Sequence, residues 1–395
     1  MSSASSSSSS TTRSEQIRNK FYESAKNRDE AGWFDGWFQY ATHEPFEAVD
    51  FLMNEIVHKN RCIGCAACVE VCPVNVFDYV NDKPVDARHS GCVYCGLCAS
   101  VCPPARLGSS SLGKFIITGD DVKDEGFGRY RTAVLARAKD PEILSRAQDG
   151  GVVSAMLISA LEDGIIDAVI LGDTVAGEPL KPVPRLARTR EEILSSAASR
   201  YTYSPNTIAL REAYEKDLKV AVVGVPCQIN GLRHTQMGPA EGFDFVDWFR
   251  KKVAFTVGLF CSEVFTYEGL EDLSHRINVP LENIVNINVK GKIISRTQDG
   301  TELVSSLKDM RKFMRPACNY CWDYSAELSD IAGGGIGLKG WTFTVARTHV
   351  GQSLYNMLVD KNLIEIKSLE EEQKSKDLLI KLSAQKRNRP KSYEP

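Results

Sequence analysis

No stretch of the sequence approaches ~20 consecutive apolar residues, so a membrane-spanning helix is not expected. Charge of one sign is equally lacking: 48 basic against 51 acidic side chains leave a net charge of −3. Neither nucleic acid nor an anionic membrane surface is therefore expected as the main partner. The start has no apolar core of the kind a secretory signal needs, because Met1 to Thr12 is a serine-rich run and the first charge is Arg13. That run reads as a disordered start, with a Ser-rich organellar transit peptide as the alternative. A reducing, cytoplasmic setting is expected, with peripheral attachment to a membrane complex compatible with it. What is abundant is cysteine. The 395 residues, 43% of them hydrophobic, supply a sizeable core and twelve cysteines. Six disulfides would suit a secreted chain of under about 100 residues, so clustered thiols here are expected to hold metal.

Eight of the cysteines form one motif twice. Cys62-Ile-Gly-Cys65-Ala-Ala-Cys68-Val-Glu-Val-Cys72-Pro73 is repeated as Cys92-Val-Tyr-Cys95-Gly-Leu-Cys98-Ala-Ser-Val-Cys102-Pro103. The pattern C-x₂-C-x₂-C-x₃-C-P wraps a loop around a cubane so that three thiolates reach three irons, while the fourth crosses to the other cluster. One [4Fe–4S] cluster is thus expected on Cys62, Cys65, Cys68 and Cys102, the other on Cys92, Cys95, Cys98 and Cys72. A zinc knuckle uses paired C-x₂-C motifs and needs neither the four-cysteine run nor the proline. The near-balanced charge of residues 58–106 suggests a built-in relay and not a diffusing carrier.

The rest of the chain divides around this module. Residues 1–57 read as the Ser-rich start and a helical extension whose stripe Trp33, Phe34, Trp37 and Phe38 packs against a neighbour. Residues 107–129 read as a Gly-, Ser- and Asp-rich linker, 130–373 as a larger domain and 374–395 as a basic solvated tail. Within the large domain, Asp167–Gly172, Lys219–Val225 and Lys252–Phe260 are short β-branched runs, expected as strands of a mostly parallel, mixed sheet in an α/β fold. Asp299-Gly300, between Lys292–Thr297 and Thr301–Val304, predicts a hairpin turn.

Cys227 and Cys261 each follow one of those strands at its carboxyl end, the edge where open α/β sheets bind ligands. Cys318 and Cys321 form a further C-x₂-C. Four thiols from three segments suffice for a third cubane; two structural cysteines beside an isolated redox pair are the alternative. Gln148-Asp149-Gly150-Gly151 precedes the apolar helical run Val152–Leu161, which makes a helix N-terminus accessible to an anionic group. Gly335-Ile-Gly337-Leu-Lys-Gly340 fits G-x-G-x-x-G but lacks the acidic residue about 20 positions on that a dinucleotide fold requires. A tight loop facing a cofactor through Gly337 and Gly340 is the preferred use.

These pieces together resemble the β-subunit family of coenzyme F420-reducing hydrogenase. The likeness is carried by Ala147–Val152, Lys181–Pro184, Arg200–Asn206, Val225–Arg233, Gly258–Glu263 and Cys318-x-x-Cys321. With the double motif in front, the layout resembles the electron-input subunit of F420H2 dehydrogenases and the N-terminal half of the deazaflavin-dependent sulfite reductase. The resemblance implies an FAD-binding flavoprotein domain, a [4Fe–4S] cluster on Cys227, Cys261, Cys318 and Cys321 beside the flavin, and F420 as hydride partner. Cofactor contacts are expected from Gln148, Asp149, Gly150, Gly151, Tyr201 and Gln228. Lys181, Arg200 and Arg233 are the candidates for FAD phosphates or the anionic tail of the coenzyme. Because hydride transfer needs no side-chain acid or base, no catalytic acid or base is expected. Single electrons would leave to a protein partner: a ferredoxin, a membrane F420H2 dehydrogenase, a hydrogenase or a heterodisulfide-type reductase. Two other readings remain, a chlorophyll-side-chain reductase of the same family and a non-catalytic iron–sulfur docking subunit.

Overall fold

The computed structural model describes residues 48–105, 109–174, 177–238 and 244–389. The aromatic stripe expected at Trp33–Phe38 lies outside the described residues.

In the cysteine module each repeat turns its loop with left-handed residues. Gly64 (φ 71°) and Ala66 (φ 59°) in the first repeat correspond to Tyr94 (φ 54°) and Gly96 (φ 71°) in the second. A short helix follows each loop, Ala67–Glu70 and Leu97–Ser100. Strands β1 (Phe77–Val80) and β2 (Lys83–Asp86) pair antiparallel between the two repeats. The helical segment Ala48–Val57 buries Val49, Leu52, Met53 and Ile56 against the cysteine loops.

Beyond the module, β3 (Lys123–Asp124) and β4 (Arg129–Tyr130) make a short ribbon. Eight strands then build one mixed sheet: β5 (Thr132–Ala138), β6 (Ala168–Thr174), β7 (Pro182–Ala187), β8 (Val220–Gly224), β9 (Val253–Leu259), and, after a separate three-stranded meander of β10 (Ile284–Val289), β11 (Ile293–Thr297) and β12 (Glu302–Ser305), β13 (Ile331–Gly334), β14 (Thr342–Ala346) and β15 (Ile364–Lys367). Their order is β15-β5-β14-β13-β9-β8-β6-β7. The four adjacent strands β13, β9, β8 and β6 are parallel, and antiparallel partners flank them on both sides. β8 is buried at every residue, as expected of a strand covered on both faces. The Asp299-Gly300 hairpin forms as the sequence predicts, with Gly300 at φ 86°.

Helices cover both faces. Val152–Glu162 packs with His349–Asp360 on one side, in a core that includes Met156, Leu157, Val169, Val223 and Leu358. On the other side Pro226–Met237 and Asp244–Lys252 share a core with Ile63, Val71, Leu97 and Val101 of the cysteine module. The module is thus docked through a common hydrophobic core, in keeping with a fixed relay.

Two boundary expectations need correction. Residues 107–129 are not a plain linker, because they contain the helix Ser109–Ile116 and the first ribbon strand. Of the segment 374–395, expected as a solvated tail, the described residues to 389 are mostly the helix Gln373–Arg387, with Ser375, Leu379, Ser383 and Lys386 buried. Its buried stripe holds only one large apolar residue, Leu379, so composition concealed a packed face that small serines and one lysine complete.

Candidate redox centre

The four parallel strands end together, and their carboxyl ends open into a cleft of about 330 Å³. Gly172 of β6, Val223–Val225 after β8, Leu259–Val264 after β9, and Gly333–Ile336 at β13 line it. That size lies within the range of small-molecule sites, and the location is the ligand-binding edge of open α/β sheets. Two helices start at the cleft. Gly151 (φ 70°) caps Val152–Glu162, and Val225 precedes Pro226–Met237. Their free N–H groups favour an anionic ligand. Close approach is secured by glycine, since a Cβ on Gly335 would collide with the Asp149 carboxylate and one on Gly334 with the Phe260 ring.

All twelve cysteines are free, and they fall into three groups. Burial pushes the Cys68 thiol well up, and Cys102, Cys65 and Cys62 add to it; burial likewise pushes Cys98 well up, helped by Cys95, Cys72 and Cys92. Cys98, of the other expected set, adds to Cys68 as well. In the third group, burial pushes Cys227 well up, with Cys321, Cys261 and Cys318 adding to the effect, and Cys261 is pushed up to about 12. Buried thiols crowded in this way become thiolates only when a cation takes up their charge. Among the described residues, no three Cys, His, Asp or Glu groups close on a single ion. Backbone N–H groups of Gly64, Val76 and Tyr94 point at the sulfurs of Cys62, Cys72 and Cys92 at 3.3–3.4 Å, a contact that tunes iron–sulfur potentials.

The third group touches both neighbours. Cys261 is itself a wall of the cleft. Towards the module, Gly231 lies one turn after Cys227, and a Cβ there would stand 2.8 Å from Cys65 Sγ. Tyr203, another cleft residue, donates its hydroxyl to the Gly64 carbonyl at 2.7 Å, and the Arg315 guanidinium lies 3.7 Å above its ring. Glycine at 231 lets the helix seat against the cysteine loop. Tyr203, Gly231 and Arg315 escaped sequence reading, because only tertiary contact gives them their role.

The cofactor candidates are distributed unevenly. Gln148, Asp149, Gly151, Arg200, Tyr201 and Gln228 line the cleft. Gln148 Oε1 accepts from Asn286 at 2.8 Å, and Tyr201 accepts from the Val289 N–H at 3.2 Å, which ties the β10–β12 meander to the rim. Gln228 is locked by its own contacts, donating to Ser204 O at 2.5 Å and accepting from Val225 N at 3.1 Å. Gly150 sits beneath the rim, with its carbonyl bonded to Ala138 N at 2.7 Å. Arg200 turns inward: its guanidinium donates to the carbonyls of Ser196, Ala197 (2.7 Å) and Ala198 (3.0 Å), bracing the loop that walls the cleft. Lys181 pairs with Glu178 at 2.5 Å over the Tyr267 ring and does not line the cleft, although Pro182 does.

Two expectations fail. Arg233 is buried on the far side of its helix in an ion pair with Asp330 at 2.8 Å and a bond to Leu328 O at 2.7 Å, away from the cleft. Its helical spacing from Cys227 turns it to the opposite face. Gly337 and Gly340 also miss the cleft; a Cβ on Gly337 would collide with Ser375 of the C-terminal helix. The glycines of this segment that line the cleft are Gly333, Gly334 and Gly335, two to four residues before Gly337.

Comparison with known proteins agrees with this layout. Over 274 residues the chain is 39% identical to coenzyme F420 hydrogenase subunit beta of Methanosarcina barkeri, a match that spans 67% of this chain and 91% of that one. The chain belongs to the coenzyme F420 hydrogenase/dehydrogenase beta-subunit family, a family of oxidoreductases. Residues 133–211 match the N-terminal part of that family, 217–372 its C-terminal part, and 61–105 the 4Fe-4S dicluster domain. A component of the F(420)H(2) dehydrogenase of Methanosarcina mazei is 28% identical, over 84% of this chain and 91% of its own length. Coenzyme F420-dependent sulfite reductase of Methanocaldococcus jannaschii is 31% identical across 84% of this chain and 51% of its own. Among solved structures, a chain of the F420-reducing [NiFe] hydrogenase complex from M. barkeri superposes with a TM-score of 0.64 at 38% identity, over 68% of this chain and 92% of that one. That chain therefore shares this fold over the matched part, and the dicluster domain at 61–105 precedes the region that matches the family. Among the described residues no helix is long and apolar enough to cross a membrane.

Proposed function

We propose that the chain is an F420-oxidising or F420-reducing flavoprotein whose cleft holds FAD and whose twelve cysteines hold three [4Fe–4S] clusters. The observation that carries this reading is Cys261, at once a wall of the cleft and a member of the third thiol group. When bound, FAD supplies the exchange between the hydride of a deazaflavin and the single electrons of iron–sulfur clusters.

The chain's own part is to hold and order these groups. The N-termini beginning at Gly151 and Val225 are the seats for phosphate, and Gly333–Gly335 admits a flat ring close to the backbone. Gln148 and Tyr201 fasten the meander that closes the rim. Cys227, Cys261, Cys318 and Cys321 hold the cluster beside the cleft. The contacts of Gly231 and Tyr203 with the Cys62–Cys65 loop make the first ferredoxin-type set the next carrier. Cys92 and Cys95 of the second set are only half-buried and stand beside the exposed Tyr94, which makes that end the exit to a protein partner. A cleft with room for phosphate and ring favours this reading over a docking subunit without flavin.

Anaerobic reconstitution should give about twelve iron and twelve sulfide per chain, three cubanes of four each. Stopped-flow mixing under argon should then show bleaching of bound flavin by reduced F420 and not by NADPH. Iron near eight, zinc in its place, or bleaching by NADPH alone would refute the reading.

A further inference from the structure

Composition assigns Lys386 to a solvated basic segment, yet the residue is 3% exposed. A lysine ammonium withdrawn this far from water requires an anion beside it. Its neighbours on the C-terminal helix have conventional partners: Arg387 pairs with Glu327, and Arg389 with Glu263 at 2.7 Å. Among the described residues no carboxylate pairs with Lys386. Its Nζ donates to the Cys261 carbonyl at 2.6 Å. Asp323 accepts the Glu327 N–H on Oδ2 at 2.9 Å and makes no ion pair with Lys386. Cys261 is one of the four thiol residues beside the cleft, and a cube held by four thiolates there would be a net anion next to this ammonium.

We propose that Lys386 is the buried counter-ion of the iron–sulfur cluster on Cys227, Cys261, Cys318 and Cys321, and that it raises the reduction potential of that cluster. The inference rests on the reading of those four cysteines as a cluster site. Adding an electron adds negative charge, and a fixed cation in a low-dielectric surrounding stabilises the reduced form. Arg315 has a carboxylate partner in Asp82 at 3.6 Å, whereas Lys386 has none among the described residues and bonds the Cys261 carbonyl. The helix Gln373–Arg387 thus makes the cluster next to the cleft the better electron holder of the wire.

The test uses the full chain, reconstituted anaerobically, as wild type, Lys386→Met and Lys386→Arg. Iron is counted, and each cluster is followed by EPR during a redox titration. In Lys386→Met the potential of one cluster should fall by a tenfold or larger change in its one-electron equilibrium, about 59 mV, while the other two stay in place. Lys386→Arg should keep the wild-type value. Three clusters with unchanged potentials in Lys386→Met would overturn the counter-ion role and leave the cluster reading standing; wild-type iron near eight would instead remove the cluster itself. If Lys386→Met assembles no third cluster, Lys386→Arg decides: a third cluster at the wild-type potential upholds the role of charge, and its absence there overturns it.

Discussion

Arg233 and Arg200 were both expected to meet an anion, and the structure gives each a different task. Arg233 neutralises Asp330 in the core, where Thr256 and Thr348 complete the carboxylate's hydrogen bonds. Removing one partner of such a pair leaves a buried charge, so Arg233→Ala should destabilise the fold by about 3–5 kcal/mol. Denaturant unfolding would show it, with no change in F420 affinity of the remaining folded protein. Burial alone would raise the Asp330 pKa, but Arg233 and those hydrogen bonds hold it below the usual carboxylate range. A depressed folded value means that the pair's stabilisation is complete above the unfolded pKa of about 3.9 and is lost as pH falls through the folded value. The difference in stability between wild type and Arg233→Ala should therefore shrink only at strongly acid pH. Arg200 braces the carbonyls of Ser196–Ala198 at the cleft wall. Under the proposed function, Arg200→Ala should loosen that wall and lower flavin retention together with coenzyme binding, measured as flavin content per chain. Unchanged flavin with weakened coenzyme binding would instead favour direct contact with the coenzyme.

The C-terminal helix is the element whose role composition misjudged most. Gln373–Arg387 places Ser375 against Gly337, Leu379 in the core and Lys386 over Cys261, and Arg389 just beyond it reaches the Cys318 carbonyl at 3.2 Å. Under the proposed function, a chain ending before Gln373 should lose about four of twelve iron atoms, the number in one cubane, and keep the eight expected of the dicluster domain. Iron analysis beside the visible spectrum would measure this. Loss of all iron would show that the helix stabilises the whole molecule and not the one site. The Pro226–Met237 helix has a comparable double duty, since Cys227 faces the third thiol group and Gly231 faces Cys65.

At the scale of the whole molecule, the proposed function puts the three thiol groups in series from the cleft to the half-buried Cys92 and Cys95. Under the proposed function, Cys62→Ser should still permit flavin reduction by reduced F420 but stop transfer to a one-electron acceptor such as a ferredoxin. Rapid mixing with and without the acceptor separates the two steps, and loss of flavin reduction would reverse the assumed order. Much of this arrangement was legible beforehand. The ferredoxin sets follow from covalent spacing, because x₂ and x₃ intervals confine where a thiol can reach. The parallel strands follow from β-branched runs buried on both faces, and Cys227 and Cys261 from their places at the ends of two such strands. Local signals of this kind are written in a dozen consecutive residues, so the sequence by itself determined the dicluster module, the central sheet and the cysteine inventory. The structure alone decided which way Arg233 and Arg200 turn, which glycines reach the cleft, and that a basic terminal segment closes the third thiol group. Several of these contacts join residues far apart in the chain, such as Arg233 with Asp330, Lys386 with Cys261 and Tyr203 with Gly64, whereas Arg200 turns to carbonyls only a few positions away. Burial makes such contacts specific, because a charge or hydroxyl removed from water must find a partner wherever the fold supplies one.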